Sequence, residues 1–401
     1  MLQDYFSILP AWLQALCFIF VAIWFMQMLC LFIIRRRPLS RLRSEKKGQL
    51  PTAQAQPGVT VVVYAHNQAD DLLRNLPSLL SNDYPDFEVV VVDDGSTDDT
   101  ENVLTQMDQR SEHFFHTTIA ERVRTVSHHK LAMMLGVKAA HNEFILMTQA
   151  QCVPKSSRWI ASMMKHFTEG VDAVIGPSVF ENRTGFINRF YQWDYFNRML
   201  TMMSLTSAVK TYGGWSCNMA FRKSLFYANR NHAFSSHLDL HPGEDDIFLR
   251  ESTVRSKATG KYNVTAACSE DALIINQLKP LHYYWSKDRL MRAFTHRYYF
   301  ITPRLANSLD VFTRYATILS GLALIGASVW FQSWWIAGSA AVMFLLFAIS
   351  CALIPYYTAR RFGSYRFLFS PMVYGMAIPF INMLFSLRAS LSSKKFYVGR
   401  I

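Results

Sequence analysis

Three adjacent carboxylates, Glu244, Asp245 and Asp246, follow Gly243 and precede the apolar start Ile247-Phe248-Leu249. Like charges packed this closely repel, so the cluster points to a function. One carboxylate held near its neighbours has its pKa raised toward the range of a general base. The same residues also suit the positive N-terminal end of a helix. A second carboxylate group, Asp93-Asp94-Gly95-Ser96-Thr97-Asp98, comes directly after the run FEVVVV. Carboxylates at that place can accept hydrogen bonds from a base or a ribose, Gly95 allows a sharp turn, and Ser96 or Thr97 can cap a following helix. A polar turn with a helix cap accounts for the same letters. A third group, Gln149-Ala150-Gln151, closes the run Phe144–Met147. Its amide NH2 groups can hydrogen-bond a diphosphate or a ribose. Finally, Gly213-Gly214-Trp215-Ser216-Cys217-Asn218 pairs two glycines, which let a ligand approach the backbone closely, with a flat indole and a polar amide. A tight turn into a buried strand is the alternative there.

The elements that position these groups read as α/β. Val59–Tyr64 and Phe87–Val92 are β-branched runs of strand length, and Phe144–Met147 is a third strand. Ala69–Leu80, Asp98–Met107 and Leu131–Ala140 have helical spacing. Strands apolar throughout and alternating with helices indicate a parallel sheet covered on both faces, with ligands beyond the carboxyl ends of its strands.

The 401 residues are 51% hydrophobic and only 17% charged, against about 25% in a typical soluble domain. Part of the chain therefore belongs in lipid. Residues 11–34 carry no charge and make about 36 Å of helix, enough for a hydrocarbon core of about 30 Å. The basic cluster Arg35, Arg36, Arg37, Arg41, Arg43, Lys46 and Lys47 follows the run rather than preceding it, which argues against a cleaved signal and places this end in the cytoplasm. The expected organisation is a lead at 1–10, a transmembrane helix at 11–34, a basic linker at 35–57 and a catalytic domain at 58–300. A linker at 301–314, transmembrane helices at 315–331 and 334–355, an interfacial or re-entrant segment (or a further span) at 367–387 and a basic tail at 388–401 complete it. The net charge of +12 is read as membrane-proximal Lys and Arg, since no nucleic-acid motif accompanies it. The six cysteines form no CxxC pair and are read as reduced.

The stretch from Val59 to Thr100, VTVVVYAHNQADDLLRNLPSLLSNDYPDFEVVVVDDGSTDDT, resembles the start of a family 2 glycosyltransferase with the GT-A fold, a Rossmann-like nucleotide-sugar-binding domain. The resemblance covers about residues 55 to 300. It implies that the turn Ala65–Asn67 and Asp93 or Asp94 hold the nucleotide, while Glu88 and Asp98 are structural. It implies that Lys130 starts a helix aimed at the donor, where an ammonium can neutralise phosphate. His128 and His129, adjacent on a helix, do not face one metal site. Where most of the family has two acidic residues that bind Mg2+ or Mn2+ and the donor diphosphate, this chain has Gln149 and Gln151. An amide oxygen is a weaker ligand for such ions, so Mg2+ or Mn2+ stays the cofactor that the resemblance implies, while its usual acidic ligands are replaced here. The segment from Gly213 to Arg222 is similar to the family's acceptor-side stretch, with Asn218 as a polar contact and Trp215 as a stacking surface. The Glu244-Asp245-Asp246 group resembles the motif that supplies the base of inverting members, with Asp245 first and Asp246 as the register alternative. Processive members carry QxxRW after this point. Here His282–Arg289 has no such motif, although Trp285 and Lys287 could cover donor or acceptor.

The expectation is an inverting, non-processive glycosyltransferase that moves a sugar from a nucleotide-sugar donor to a lipid-linked or surface-glycan acceptor at the cytoplasmic face of a bacterial inner membrane. Its partners are donor, acceptor and membrane lipid, without nucleic acid. A GT-A module that has lost turnover and serves as a binding or scaffold partner is the alternative, motivated by the two glutamines.

Overall fold

The computed structural model describes residues 9–50, 52–53, 55–119, 127–208, 211–228, 243–256, 263–279, 281–362 and 370–391. The chain begins with α1 (Ala11–Cys30), which runs through a π-helical turn at Leu31–Arg35 into α2 (Arg37–Lys46). Then come β1 (Val59–Ala65), α3 (Ala69–Leu80), β2 (Phe87–Asp93), α4 (Thr100–Asp108), β3 (Phe114–Thr118), α5 (His128–Ala139), β4 (Phe144–Gln149), β5 (Cys152–Pro154) and α6 (Trp159–Met164). The second half holds β6 (Val171–Ile175), β7 (Ser178–Phe180), α7 (Phe186–Ala208), β8 (Met219–Arg222), α8 (Lys223–Ala228), α9 (Glu244–Ser256), β9 (Asn263–Ala266) and β10 (Ile274–Asn276). Four helices close it: α10 (Leu281–Thr295), α11 (Ile301–Trp330), α12 (Trp334–Arg361) and α13 (Ser370–Leu391).

Seven strands form one sheet in the order β3-β2-β1-β4-β8-β6-β9. The β-branched runs of β1 and β2 pair in parallel, Val59 opposite Phe87 through Ala65 opposite Asp93, and β1 pairs β4 in parallel on its other side. Both strands are buried on both faces, as a sheet sandwiched between helices requires. The all-parallel expectation needs one correction: β8 runs antiparallel to both β4 and β6, so the sheet is mixed. The physical reason lies in the connection. The turn at 211–218 sits at the carboxyl end of β4, and β8 starts there and returns down the sheet, pairing Met147 with Met219.

Helix α3 buries Leu72, Leu76 and Leu79 at 3–4-residue spacing against the sheet. On the other face α5 lies so close that a Cβ on Gly136 would stand 2.3 Å from Val62 Cγ1. This helix–sheet core is continuous with the α7 face that buries Trp193, Phe196 and Met199.

Three helical segments are long and apolar enough to cross a membrane: Ala11–Lys46, Ile301–Trp330 and Trp334–Arg361. Where a linker was expected at 301–314, α11 is already helical from Ile301. Asp310 and Arg314 lie on this helix just before the charge-free run that starts at Tyr315, and they pair inside the bundle. Arg35, in the π turn, donates through Nη2 to Asp310 Oδ2 at 2.8 Å and through Nη1 to Asn197 Oδ1 at 2.9 Å, and Arg314 Nη2 reaches the same carboxylate at 3.3 Å. The expected segment at 367–387 falls on α13, whose first residue described is Ser370, with residues 363–369 outside the described set. Helix α13 packs on α10, α12 and α7. All six cysteines are free.

Candidate active site

A cavity of about 580 Å3 opens beyond the carboxyl ends of β1 and β4, between the turn at 213–217, the start of α9 and one face of α10. This is where an open α/β sheet offers its loops to a ligand.

The wall on the β1 side is a turn held by its own polar groups. Asn67 lies in the left-handed region at φ 50°, which Asn tolerates better than most residues. Its backbone N–H donates to Ser96 Oγ at 2.8 Å, and its Oδ1 accepts from Thr97 N at 2.8 Å. The β1 and β2 turns are thereby locked together, and Asn67 lines the cavity. Ala65, Asp93 and Asp94 do not line it. Asp93 Oδ1 accepts from Ser96 N at 3.2 Å, and Asp94 accepts from Tyr64 OH at 2.7 Å and meets His128 Nδ1. In this structure the contacts of both carboxylates are those of the polar turn. Glu88 and Asp98 are structural too: Glu88 accepts from Thr60 Oγ1 and from the N–H and ring of His141, and Asp98 accepts from Ala69 N and Thr100 N. Lys130 is also displaced from its expected place. It is fully buried on α5 and does not line the cavity, whereas its neighbour His129 does, stacked on Tyr64 at 4.0 Å.

Gln149 and Gln151 both line the cavity, as the end of a chain of amides. Gln68 Nε2 donates to Gln151 Oε1 at 2.9 Å, Gln151 Nε2 donates to Gln149 Oε1 at 2.5 Å, and Gln149 Nε2 donates to Ser216 Oγ at 3.2 Å. Each amide oxygen already accepts a hydrogen bond, and neither carries the negative charge that Mg2+ or Mn2+ favours. Among the described residues no group of three His, Cys, Asp or Glu side chains is placed to hold a metal. Gln149 and Gln151 do not supply the anionic oxygens that the acidic motif offers a divalent ion.

The opposite wall carries the carboxylate pair, both members of which line the cavity. Asp245 Oδ2 accepts from Ser216 N at 2.9 Å, and its Oδ1 accepts from the next residue's N–H, Asp246 N, at 2.7 Å. Asp246 is more thoroughly bound: Oδ1 accepts from Gly214 N at 2.7 Å, and Oδ2 accepts from Tyr299 OH at 2.6 Å and Thr295 Oγ1 at 3.0 Å. The paired glycines exist to admit these acids. A Cβ on Gly214 would stand 2.5 Å from the Asp245 carbonyl carbon, and one on Gly213 would stand 2.6 Å from Asp246 Oδ1. Burial and then the Asp245 charge push the Asp246 carboxyl up to about 6, against the opposing pull of Arg292. The side chain of Glu244 lies outside the described residues.

Arg292 escaped the sequence reading. Its guanidinium lies over the Trp215 ring at 4.1 Å, 3.9 Å from Asp245, 3.6 Å from Asp246 and 3.1 Å from Asp288. The signal that would have found it is the helical period of α10. Tyr284, Asp288, Arg292 and Thr295 recur at 3–4-residue steps, and all four line the cavity together with Lys287.

The remaining acceptor-side expectations are corrected by burial. Trp215 lines the cavity but is 2% exposed, one face covered by Arg292 and its Nε1 bonded to Tyr195 OH at 3.1 Å, so no open face is left for a sugar to stack on. Asn218 is fully buried and holds Pro177 O and Ala272 O at 2.7 Å each while accepting from Trp159 Nε1. Trp285 turns away from the cavity, donates to Asp194 Oδ2 at 2.7 Å and packs against Tyr191 and Phe385.

Residues 60–229 match the family model described as Glycosyl transferase family 2. A poly-beta-1,6-N-acetyl-D-glucosamine synthase of Staphylococcus epidermidis is 24% identical over 202 residues, 49% of this chain and 47% of that protein. An uncharacterized glycosyltransferase of Nostoc sp. is 38% identical over 53 residues, 13% of this chain and 16% of that protein. The chain thus spans about half the length of the first of these relatives, and less of the second. Among solved structures, the mannosyltransferase PcManGT from Pyrobaculum calidifontis, in complex with GDP-Man and Mn2+, superposes with a TM-score of 0.50 at 20% identity, covering 91% of this chain and 99% of that one. That likeness carries the fold, a GT-A α/β sheet.

Proposed function

We propose that this chain is an inverting, non-processive glycosyltransferase that uses a nucleotide-sugar donor in the cavity at the strand ends and a lipid-linked or glycan acceptor; the match of residues 60–229 to Glycosyl transferase family 2 and the GT-A sheet support this. The observation that carries this reading is Asp245. It lines the cavity, is aimed by the Ser216 N–H, and stands beside a second carboxylate. Asp245 takes the proton of an acceptor hydroxyl. The acceptor oxygen forms its bond to the anomeric carbon, the bond from that carbon to the diphosphate breaks on the opposite face, and the nucleoside diphosphate leaves. Positioning and charge stabilisation supply most of the rate.

Asn67, Gln149 and Gln151 line the donor half of the cavity, and Lys279 and Lys287 bring positive charge to the same space. These residues, rather than an ion held by the two glutamines, are proposed to face the diphosphate. Turnover by membranes carrying the protein is accordingly expected to persist in EDTA within about twofold, and a loss greater than tenfold that Mn2+ restores would sink this arrangement.

The carboxylate pair also predicts a pH profile. Below about 6 the pair holds one proton, placed on Asp246. That proton removes one of the two negative charges on this wall of the cavity, and with it part of the field that draws a proton from the acceptor. kcat/KM is expected to be level above that pH and to fall as acid is added through it, which a rate profile between pH 5 and 8 would show.

The apolar helices α1, α11 and α12, with the basic stretch after Cys30, support a membrane anchor with the 58–300 domain on the cytoplasmic face of a bacterial inner membrane. The deciding experiment incubates such membranes with a panel of nucleotide sugars and measures released nucleoside diphosphate. Release from none of them would favour the second reading, a module without turnover, for which the Gln-Ala-Gln step is the specific support.

A further inference from the structure

Helix α13 is apolar on two opposite sides. One stripe, Tyr374, Ile378, Phe385 and Ala389, is buried. The other, Phe380, Met383, Leu384, Leu387 and Leu391, recurs at 3–4-residue steps and is between 49% and 86% exposed. A row of bare apolar side chains this long marks a contact surface rather than a face turned to water. The 22 residues of α13 make about 33 Å of helix, so length alone would let it cross a hydrocarbon core of about 30 Å.

The partners of the buried stripe decide against a crossing. Near the start of α13, Tyr374 packs on Phe190 and Trp193 of α7 and donates from its hydroxyl to Phe186 O at 3.0 Å. Further along, Phe385 meets Trp285 of α10 edge-on at 5.5 Å, and Asn382 Oδ1 accepts from Arg289 Nη1 at 2.8 Å. Helices α7 and α10 both belong to the catalytic domain: α7 packs into the core under the sheet, and α10 lends Lys287, Asp288 and Arg292 to the cavity. Tyr374 and Phe385 are about 16 Å apart along the helix axis. A crossing helix would take Phe385 that much deeper into hydrocarbon and draw α10 with it, where its charged side chains are costly.

The neighbours of the exposed stripe identify what covers it. Phe186 and Ile187, at the tip of α7 beside Tyr374, are 70% and 62% exposed, so the bare apolar surface extends onto the catalytic domain itself. On its other flank Phe380 lies edge-on to Tyr315 of α11, one of the helices apolar enough to cross a bilayer. The stripe is thus continuous with the lipid-facing side of the bundle.

We propose that α13 lies along the cytoplasmic surface of the bilayer, with its exposed stripe at the boundary of headgroups and acyl chains and with Phe186 and Ile187 entering beside it. This is the geometry of an interfacial helix, buried about 5–10 Å deep. It goes beyond the transferase reading and takes from it only the anchor and the cytoplasmic side of the domain. Two consequences follow from the contacts. The α10 wall of the active-site cavity is backed by a helix seated in lipid, and Arg388, Lys394, Lys395 and Arg400 stay on the same side as the basic stretch after Cys30.

The test uses the full chain with Cys17→Ser, since the other five cysteines are buried. Phe380→Cys and Leu387→Cys each carry a fluorophore in bilayers that hold nitroxide lipids of graded depth. Both sites are expected to be quenched at least fivefold more by a nitroxide near the headgroup than by one at the acyl-chain end, with position 387 no deeper than 380. The seven residues between them span about 10 Å, so a position 387 deeper by that amount overturns the proposal. Absence of quenching at both sites overturns it as well, since a protein surface such as a second copy of this chain then covers the stripe. In cells, a fluorescent protein fused after Ile401 is expected to be bright and alkaline phosphatase fused there to be silent. Leu73→Cys, on the exposed side of α3, reports the domain through an impermeant maleimide. An active phosphatase with Leu73→Cys protected overturns the placement of α13 alone, whereas labelling of Leu73→Cys in intact cells overturns the cytoplasmic domain and the side proposed for α13 together.

Discussion

Asp245→Asn is expected to lower kcat by 10^2 to 10^4-fold, the range of a lost general base, with donor binding preserved. The amide keeps the volume, and its single oxygen can still accept from Ser216 N or from Asp246 N, so one of the two contacts that fix the start of α9 and the turn at 213–217 is kept and one is lost. What disappears is the lone pair that takes the acceptor proton. A thousandfold loss corresponds to about 4 kcal/mol of transition-state stabilisation. That is more than the neighbouring bonds could account for by slight misplacement. The check is a paired measurement, nucleoside diphosphate release for turnover and thermal shift by the nucleotide sugar for binding. Full activity in Asp245→Asn would move the base to Asp246. That carboxylate already accepts from Gly214, Thr295 and Tyr299, and such saturation suits a group that holds the site together.

Asp194→Ala is expected to destabilise the fold by about 3–5 kcal/mol, the cost of breaking a buried ion pair by removing one partner. Asp194 is fully buried on α7. It accepts from Trp285 Nε1 and Arg289 Nε at 2.7 Å each and from Arg198 Nε at 3.2 Å. Burial alone would raise its pKa, but the two arginines hold the carboxyl below the ordinary range. Alanine leaves the buried Arg289 without its carboxylate and Arg198 with Asp288 alone, and of these ties between α7 and α10 the Arg198–Asp288 pair is the one that stays. Because Arg292 and Thr295 ride on the same helix, activity should fall along with the melting temperature. A double change, Asp194→Ala with Arg289→Met, should recover part of the stability, which separates the unpaired charge from lost packing. A melting temperature within 2 °C of wild type for the single variant would contradict this account.

The helices and strands nearest the first motifs were legible because their signals are local. A β-branched run such as VTVVVY has one good use, a strand buried on both faces, and the leucines of α3 repeat at the period of a helix with one buried side. The candidate base was legible for a similar reason, since three adjacent acids are hard to place anywhere but at a helix start or a working site. The glutamines at 149 and 151 were equally readable as a departure, because the letters around them follow the acidic pattern.

Tertiary structure decided the rest, and the reason is direction. A sequence shows that Asp93, Asp94 and Lys130 stand near the ends of strand or helix, but whether each side chain faces the cavity or the turn depends on packing by remote elements. Ser96, Tyr64 and His128 turn the two acids inward, and the closeness of α5 to the sheet keeps Lys130 buried. The antiparallel β8 follows from where the 211–218 turn leaves the chain, which no strand pattern encodes. Arg292, nearly fifty residues beyond the carboxylate pair, reaches it because Asp194 anchors α10 on α7. The sequence by itself determined an α/β core, a membrane-compatible bundle and a cluster of acids. Only the folded chain set which of those acids faces the cavity and which cation stands over Trp215.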